Sequence, residues 1–156
     1  GKEVNFWVVG DLDEGNPESI TKAEVASWKD LSNVKFLGFQ SNVAELYSKS
    51  NIACLPSYRE GLPKSLVEAA ACGRAVITTD VPGCRDAIES NKTGLLVPVN
   101  NAVALADAIE YLLENPDVRE RMGVAGRALA EKEFAIEKIV AEHMEIFQKL
   151  LDKGEL

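Results

Sequence analysis

The chain has 156 residues, 46% of them apolar and 27% charged, enough to bury about two-thirds of its unfolded surface as one soluble domain without a disulfide or metal staple. Its 25 acidic side chains against 17 basic ones give a net charge of -8, spread along the whole length, which argues against nucleic acid or an anionic membrane surface as the main partner. Cys54, Cys72 and Cys84 form no CxxC pattern and His143 is the single histidine, so neither a disulfide framework nor a zinc site is indicated, and the thiols read as reduced cysteines of a cytosolic protein.

No apolar run reaches the roughly 18 residues of a membrane span, and no signal sequence opens the chain. Gly1, Lys2 and Glu3 lead straight into a first strand, Val4 to Val9, as though the chain had been cut just before it. Further strand candidates are Val34 to Leu37, Ile52 to Leu55, Ala75 to Thr79 and Leu95 to Val97. Helical patterns alternate with them: Ser19 to Leu31, Val43 to Lys49, Lys64 to Cys72 stopped by Gly73, and Asn101 to Leu113. Asn115 and Pro116 supply a cap and a first-turn proline for another helix.

Strand and helix in alternation predict an α/β fold, a Rossmann-like doubly wound parallel sheet, and residues 1–156 read as one domain. The chain then ends in a long amphipathic helix with Ile136, Ile139, Val140, Met144, Phe147, Leu150 and Leu151 on one stripe. Such a stripe either packs on its own domain or meets another domain or subunit. His143 lies near its edge and has no partner of its own kind.

The most informative stretch runs from Leu55 to Gly73. It leaves a strand, turns through Gly61 and Pro63, and enters a helix, the place where open α/β sheets bind ligands against free helix N–H groups. Lys64 puts a positive charge at the positive end of that helix and precedes Glu68 in the less favourable order for an i,i+4 pair. An anion resting on the helix N-terminus would reverse the sign of the first effect. Glu68 lies among Leu66, Val67, Ala69, Ala70 and Ala71, on a helix apolar nearly all round and so expected to be buried, where a carboxylate needs hydrogen-bond donors. Glu60, eight positions earlier, would stand about 12 Å away on an unbroken helix, but the turn at Gly61 can fold it back over the helix start. Ionised carboxylates only accept hydrogen bonds and so suit vicinal hydroxyls. A diphosphate on the helix N-terminus, with carboxylates gripping sugars on either side, describes a nucleotide sugar. Two surface glutamates and a local salt bridge are the plainer alternative.

At these residues the chain resembles the retaining GT-B glycosyltransferases of family four, whose donor domain carries an EX7E motif, here Glu60 through Glu68. The resemblance extends over Val8 to Gly10, Phe36 to Phe39, Leu55 to Ser57, Glu68 to Ala70, Ala75 to Asp80, Pro82 to Arg85, Thr93 to Pro98 and the C-terminal helices. It implies that Glu60 and Glu68 are the catalytic candidates, Glu68 on ribose hydroxyls and Glu60 on hydroxyls of the transferred sugar. It also implies that the backbone of Gly61, Leu62, Pro63, Lys64 and Ser65 meets the diphosphate and sugar, and that Phe39 and Gln40 meet the base. Gly10 to Pro17, with Glu60 to Leu66 and Pro82 to Arg85, is similar to bacterial surface-polysaccharide enzymes that use UDP-N-acetylhexosamines or UDP-uronic acids.

The resemblance further implies a UDP-sugar donor, no cofactor and no metal, a glycan or lipid-linked acceptor, and a cytoplasmic enzyme peripheral at the inner face of the membrane. It implies an acceptor-binding N-terminal domain and a preceding strand and helix carrying a basic pair, none of them in this chain. Without that first strand, the Val4 and Ile52 strands either pair directly, accept another chain between them, or leave the sheet poorly closed. Pro63 stands where many relatives have glycine, which removes one N–H from the phosphate site. The fragment alone is expected to be inactive and to self-associate.

Three other readings compete. Asp11-Leu12-Asp13 is literally a DxD, the short acidic signature of a metal-dependent glycosyltransferase fold. A phosphorylatable receiver module fails because Leu55-Pro56-Ser57 lacks the aspartate it needs. A GT-B relative that epimerises or hydrolyses a nucleotide sugar, or a non-catalytic nucleotide-binding module, would share the donor site.

Overall fold

The computed structural model describes residues 4–13, 15 and 19–153. The chain divides into two compact units, Gly1–Val43 and Ala44–Leu156. Gly1 to Glu3, and Glu14, Asn16 and Pro17 of the Gly10 to Pro17 pattern, lie outside the described residues.

In the first unit, β1 (Phe6–Val9) runs parallel to β2 (Val34–Gly38) with α1 (Lys22–Lys29) between them in sequence. The helix begins three residues later than its periodicity predicts because Thr21 caps it. The Thr21 hydroxyl accepts from the Glu24 N–H at 3.2 Å, and the Glu24 carboxylate accepts from the Thr21 N–H at 2.8 Å. This reciprocal pair satisfies two end groups that would otherwise be orphaned. Trp28 on α1 stacks on Phe36 of β2, ring centroids 6.2 Å apart. The register shifts between Val8 and Val9.

The second unit holds a parallel sheet in the order β3 (Ile52–Leu55), β4 (Ala75–Thr79), β5 (Gly94–Val97). β4 is buried at every residue. Its side chains alternate between two cores, as the period of a strand requires. Val76 packs on one face with Leu66 and Ala69 of α3 (Lys64–Ala71) and with Cys84 and Ala87 of α4 (Pro82–Ala87). Ala75 and Ile77 pack on the other with Leu112 of α5 (Ala102–Glu114) and Met122 of α6 (Pro116–Glu133). Continuous apolar sequence in a strand covered by helices on both sides is the pattern of a parallel sheet. Helix α2 (Val43–Lys49) opens at the division between the units.

The strands therefore form two parallel sheets, and among the described residues β1 takes only β2 as a ladder partner and β3 only β4. The short helix α4 has no counterpart in the periodicity reading, since six residues carry too little pattern to register.

Helix ends follow the sequence closely. The α3 helix stops in a Schellman motif: Gly73, at φ 70°, donates to the Ala70 carbonyl at 2.8 Å and Arg74 to the Ala69 carbonyl at 3.0 Å. Asn101 caps α5 by accepting from the Ala104 N–H at 2.9 Å. Asn115 precedes Pro116 as expected, yet its side chain donates backward to the Tyr111 carbonyl at 2.8 Å and caps nothing ahead of it.

The last helix, α7 (Ile136–Lys153), has no buried residue. Ile136 is 72% exposed, Met144 62% and Leu151 59%, so packing on the helix's own domain, one of two expectations for this stripe, is not what the structure shows. Among the described residues no helix is long and apolar enough to cross a membrane.

The junction of α6 and α7 is tied by charge. Glu133 accepts from Lys138 across the turn at 2.7 Å and pairs with Lys132 at 2.7 Å. Hydrogen bonds from the two lysines hold its carboxyl down at about 2 from an ordinary value near 4.5. A depressed carboxylate pKa stabilises the state that carries it above the ordinary value, and that contribution disappears as pH falls through the lowered one. Amide exchange at Phe134 and Ala135 should therefore accelerate between pH 4.5 and 2 relative to the α6 core, and Glu133→Gln should remove that pH dependence while leaving exchange in β4 unchanged.

Candidate functional site

Two threonines of the buried central strand fix the exit of β3. The Thr78 hydroxyl donates to the Leu55 carbonyl at 2.8 Å, and the Thr79 hydroxyl donates to the Ser57 carbonyl. Both threonines are buried, and a hydroxyl there must have a partner. These bonds extend the grip of β4 two residues past the end of the β3 ladder. Ser57 then donates through its own hydroxyl to the Arg59 carbonyl at 3.2 Å, turning the chain into the segment that carries Glu60.

Glu60 is half-buried, Gly61 and Leu62 are exposed, and Pro63 is buried as the N-cap of α3. Proline cannot cap with its side chain, and no acidic residue lies in the first turn. The positive end of α3 thus has neither a side-chain acceptor from its cap nor a carboxylate in its first turn to offset it, an arrangement that favours an anion. Lys64 adds to this with a side chain 87% exposed.

Glu68 is one turn further along. The sequence predicts burial for it, but its side chain is 34% exposed, with Lys64 Nζ 3.3 Å from its Oε1. The helix is less enclosed than its composition implies: Val67 and Ser65 are half-buried, and Ala71 is exposed. Glu68 consequently needs no internal donor, and an exposed i,i+4 pair of this order contributes little to stability.

The start of α3 is also held from α2. Tyr47 donates its hydroxyl to the Ser65 carbonyl at 3.0 Å. Burial, and then the neighbouring Glu68 charge, push the Tyr47 hydroxyl's pKa upward, so it remains a protonated donor. The sequence gives no sign of this role, because a tyrosine in an amphipathic helix reads as packing.

Phe39 and Gln40 belong to the first unit and follow β2 directly. Phe39 is 73% exposed, while its backbone N–H donates to Asp11 Oδ1 at 3.1 Å. The Gln40 side chain turns back onto the Leu37 carbonyl at 2.7 Å. Of the Asp11-Leu12-Asp13 triplet, Asp11 accepts from Phe39 and Asp13 accepts from the Gly15 N–H at 3.2 Å. Each carboxylate has a backbone donor to hold. The DxD pattern is thus also a pair of loop anchors. Among the described residues no group of three or more His, Cys, Asp or Glu side chains could hold a metal ion.

The residues of the Glu60 to Glu68 segment accordingly stand together in the second unit, at the carboxyl end of its sheet, and Phe39 and Gln40 stand at the carboxyl end of β2 in the first.

Comparison with known proteins agrees with this architecture. The chain is 37% identical over 153 residues to an N,N'-diacetylbacillosaminyl-diphospho-undecaprenol alpha-1,3-N-acetylgalactosaminyltransferase of Campylobacter jejuni, covering 97% of this chain and 38% of that protein. It is 30% identical over 155 residues to the capsular polysaccharide biosynthesis glycosyltransferase CapM of Staphylococcus aureus, covering 99% of this chain and 40% of the relative. A solved structure of an S. aureus TarM mutant in complex with Fondaparinux, alpha-GlcNAc-glycerol and UDP superposes with a TM-score of 0.80 at 25% identity, covering 92% of this chain and 29% of that one. The chain spans about two-fifths of the length of the two curated relatives. Its parallel α/β fold with long C-terminal helices is of the GT-B type that the resemblance implied. The model of the family described as Glycosyl transferases group 1 matches residues 1–129, and the chain belongs to that family.

Proposed function

We propose that this chain is the nucleotide-sugar-binding half of a glycosyltransferase, taking a UDP-sugar as donor and transferring the sugar with retention to a glycan or lipid-linked acceptor in bacterial surface-polysaccharide synthesis. The observation that carries the reading is the start of α3, where a cationic helix N-terminus with no capping side chain and no first-turn acid sits between Glu60 and Glu68. Family membership and the acceptor and product classes named for the relatives, an undecaprenol diphosphate and a capsular polysaccharide, support it. UDP is bound by the TarM neighbour.

In this reading the backbone from Gly61 to Ser65 meets the donor, the sugar at Gly61 and Leu62 and the diphosphate at the start of α3 on the N–H groups of Lys64 and Ser65, with the Lys64 side chain released from Glu68 to face it. Charge on the departing diphosphate is then met by dipoles already in place, the arrangement that lowers a transition state most effectively. Glu68 accepts from the ribose hydroxyls and Glu60 from those of the transferred sugar, fixing the orientation of the anomeric carbon. In the first unit Asp11 steadies the loop that carries Phe39. No metal is needed, because helix and lysine supply the positive charge. The acceptor domain is an N-terminal part of the same enzyme, which works in the cytoplasm against the inner face of the membrane. The open stripe of α7 contacts that domain, and in the isolated chain it drives self-association.

Calorimetric titration of the chain with UDP, UDP-glucose and UDP-N-acetylhexosamines tests the site. Glu68→Ala should weaken the best UDP-sugar about tenfold, the value of one hydrogen bond to a charged group, whereas Glu142→Ala on the exposed face of α7 should leave it unchanged, and a chelator should change neither. Equal affinities for both variants would remove the assignment of Glu68, and loss of binding in chelator would transfer the diphosphate to a metal. Full-length enzyme given donor and acceptor should yield a glycosylated acceptor of retained configuration; free sugar or an epimer with no glycosylated acceptor would make it a hydrolase or epimerase instead. Sedimentation of the fragment should show an average mass rising with concentration, and a constant monomer mass would count against the role given to α7.

A further inference from the structure

Gly83 stands second in α4 and is buried. A Cβ at this position would run into the carbonyl carbon and oxygen of Gly61 and come within 2.6 Å of the Glu60 carbonyl oxygen. Ordinary carbon–oxygen contacts are near 3.3 Å or longer, and these obstacles are backbone atoms, which no rotamer change can clear. The Glu60–Gly61 turn is therefore seated on the bare Cα of Gly83.

Neither support behind the contact is free to retreat. On one side α4 is rooted in the core by Val81, Cys84 and Ala87, the last two essentially without exposure. On the other the chain is pinned at Ser57 by Thr79 and at the start of α3 by buried Pro63 and Leu66. Between those pins lie the exposed residues Tyr58, Arg59, Gly61 and Leu62, with half-buried Glu60 among them. Any added bulk at Gly83 has to be taken up there.

We propose that Gly83 is a positioning residue for sugar recognition: by letting α4 close onto the Glu60–Gly61 backbone, it sets where the Glu60 carboxylate and the Gly61 N–H meet the donor sugar. The proposal rests on the donor-site reading above and adds a residue that acts through the turn without touching the ligand. The nucleotide end of the donor, held from Glu68, lies downstream of the pin at Pro63 and escapes the disturbance. The glycine thus governs the sugar part of affinity and leaves the nucleotide part alone.

The test compares Gly83→Ala with Gly123→Ala in the 156-residue chain. Gly123, on α6, meets the Gly73 backbone in the same close manner, outside the Glu60–Gly61 turn. Gly83→Ala should move the amide resonances of Arg59 to Leu62 and weaken the tightest-binding of UDP-glucose, UDP-N-acetylglucosamine and UDP-N-acetylgalactosamine about tenfold, one charged hydrogen bond's worth, with UDP affinity held within about twofold. Gly123→Ala should lower the melting temperature and keep the ratio of UDP-sugar to UDP affinity. Unmoved resonances at Arg59 to Leu62, or equal losses for UDP and UDP-sugar, would overturn the proposal. If Gly83→Ala does not fold, the wild-type chain decides: saturation with the same UDP-sugar should shift the Gly83 amide and UDP alone should not, and identical responses would overturn it. A wild-type chain that binds none of the nucleotides refutes the donor site itself, whereas binding without the Gly83 response refutes only the role of the glycine.

Discussion

The Glu60 to Glu68 segment hangs on one strand. β4 is buried on both faces and flanked on both edges, so its side chains have no freedom to drift, and the last two of them are threonines. An apolar residue at either position would fill the space equally well and leave the chain beyond β3 untethered. The hydroxyls of Thr78 and Thr79 instead reach across to the carbonyls of Leu55 and Ser57, which carries the order of the core outward into a segment without regular structure. A buried hydroxyl without a partner costs more than the bond contributes, so these contacts constrain direction more strongly than they stabilise.

From that tether the site is built by opposed constraints of ordinary strength. Tyr47 holds the first turn of α3 by a carbonyl, Pro63 starts the helix without capping it, and Gly83 limits how far the turn can sink. None of these contacts involves the carboxylates of Glu60 or Glu68. The charged groups stay available because neutral, shape-determined contacts carry the load of positioning them. The weak Lys64–Glu68 pair fits this division, since a pair one-third to nearly nine-tenths exposed can be given up at little cost when a ligand offers better partners.

Much of this was legible in the sequence for reasons that can be named. Apolar β-branched runs placed the strands of both units to within two residues, the largest difference being the start of the first, expected at Val4 and found at Phe6, because a buried parallel strand leaves little room for another composition. Gly73 announced the end of α3 and Asn101 the start of α5, since helix ends demand particular backbone geometry and particular acceptors. The carboxylate spacing in Glu60 to Glu68 and the misplaced charge of Lys64 pointed to the site. What stayed hidden depends on distance in space. Thr21 with Glu24 was a readable capping box that periodicity alone passed over. Asp11 holding Phe39, Tyr47 holding Ser65, and Gly83 beneath Gly61 join residues 18 to 28 positions apart, and no local pattern encodes such pairs. The burial expected of Glu68 failed because helix composition was taken for enclosure, and the fate of the α7 stripe could not be read from a periodicity that is the same for covered and uncovered faces.

Helix α6 lies against α3 through Gly123 and Gly126, whose missing side chains bring it onto the backbone of Gly73 and the Cα and Cβ of Ala70. The rear of the helix that carries Glu68 is therefore a contact between main chains and single methyl groups. Such a seat has no alternative rotamers to populate on warming, so it contributes almost no configurational softness of its own. The carboxylate end of the site rides on a rigid rail, and the tolerance needed to admit and discharge a ligand is left to the short loop ahead of it.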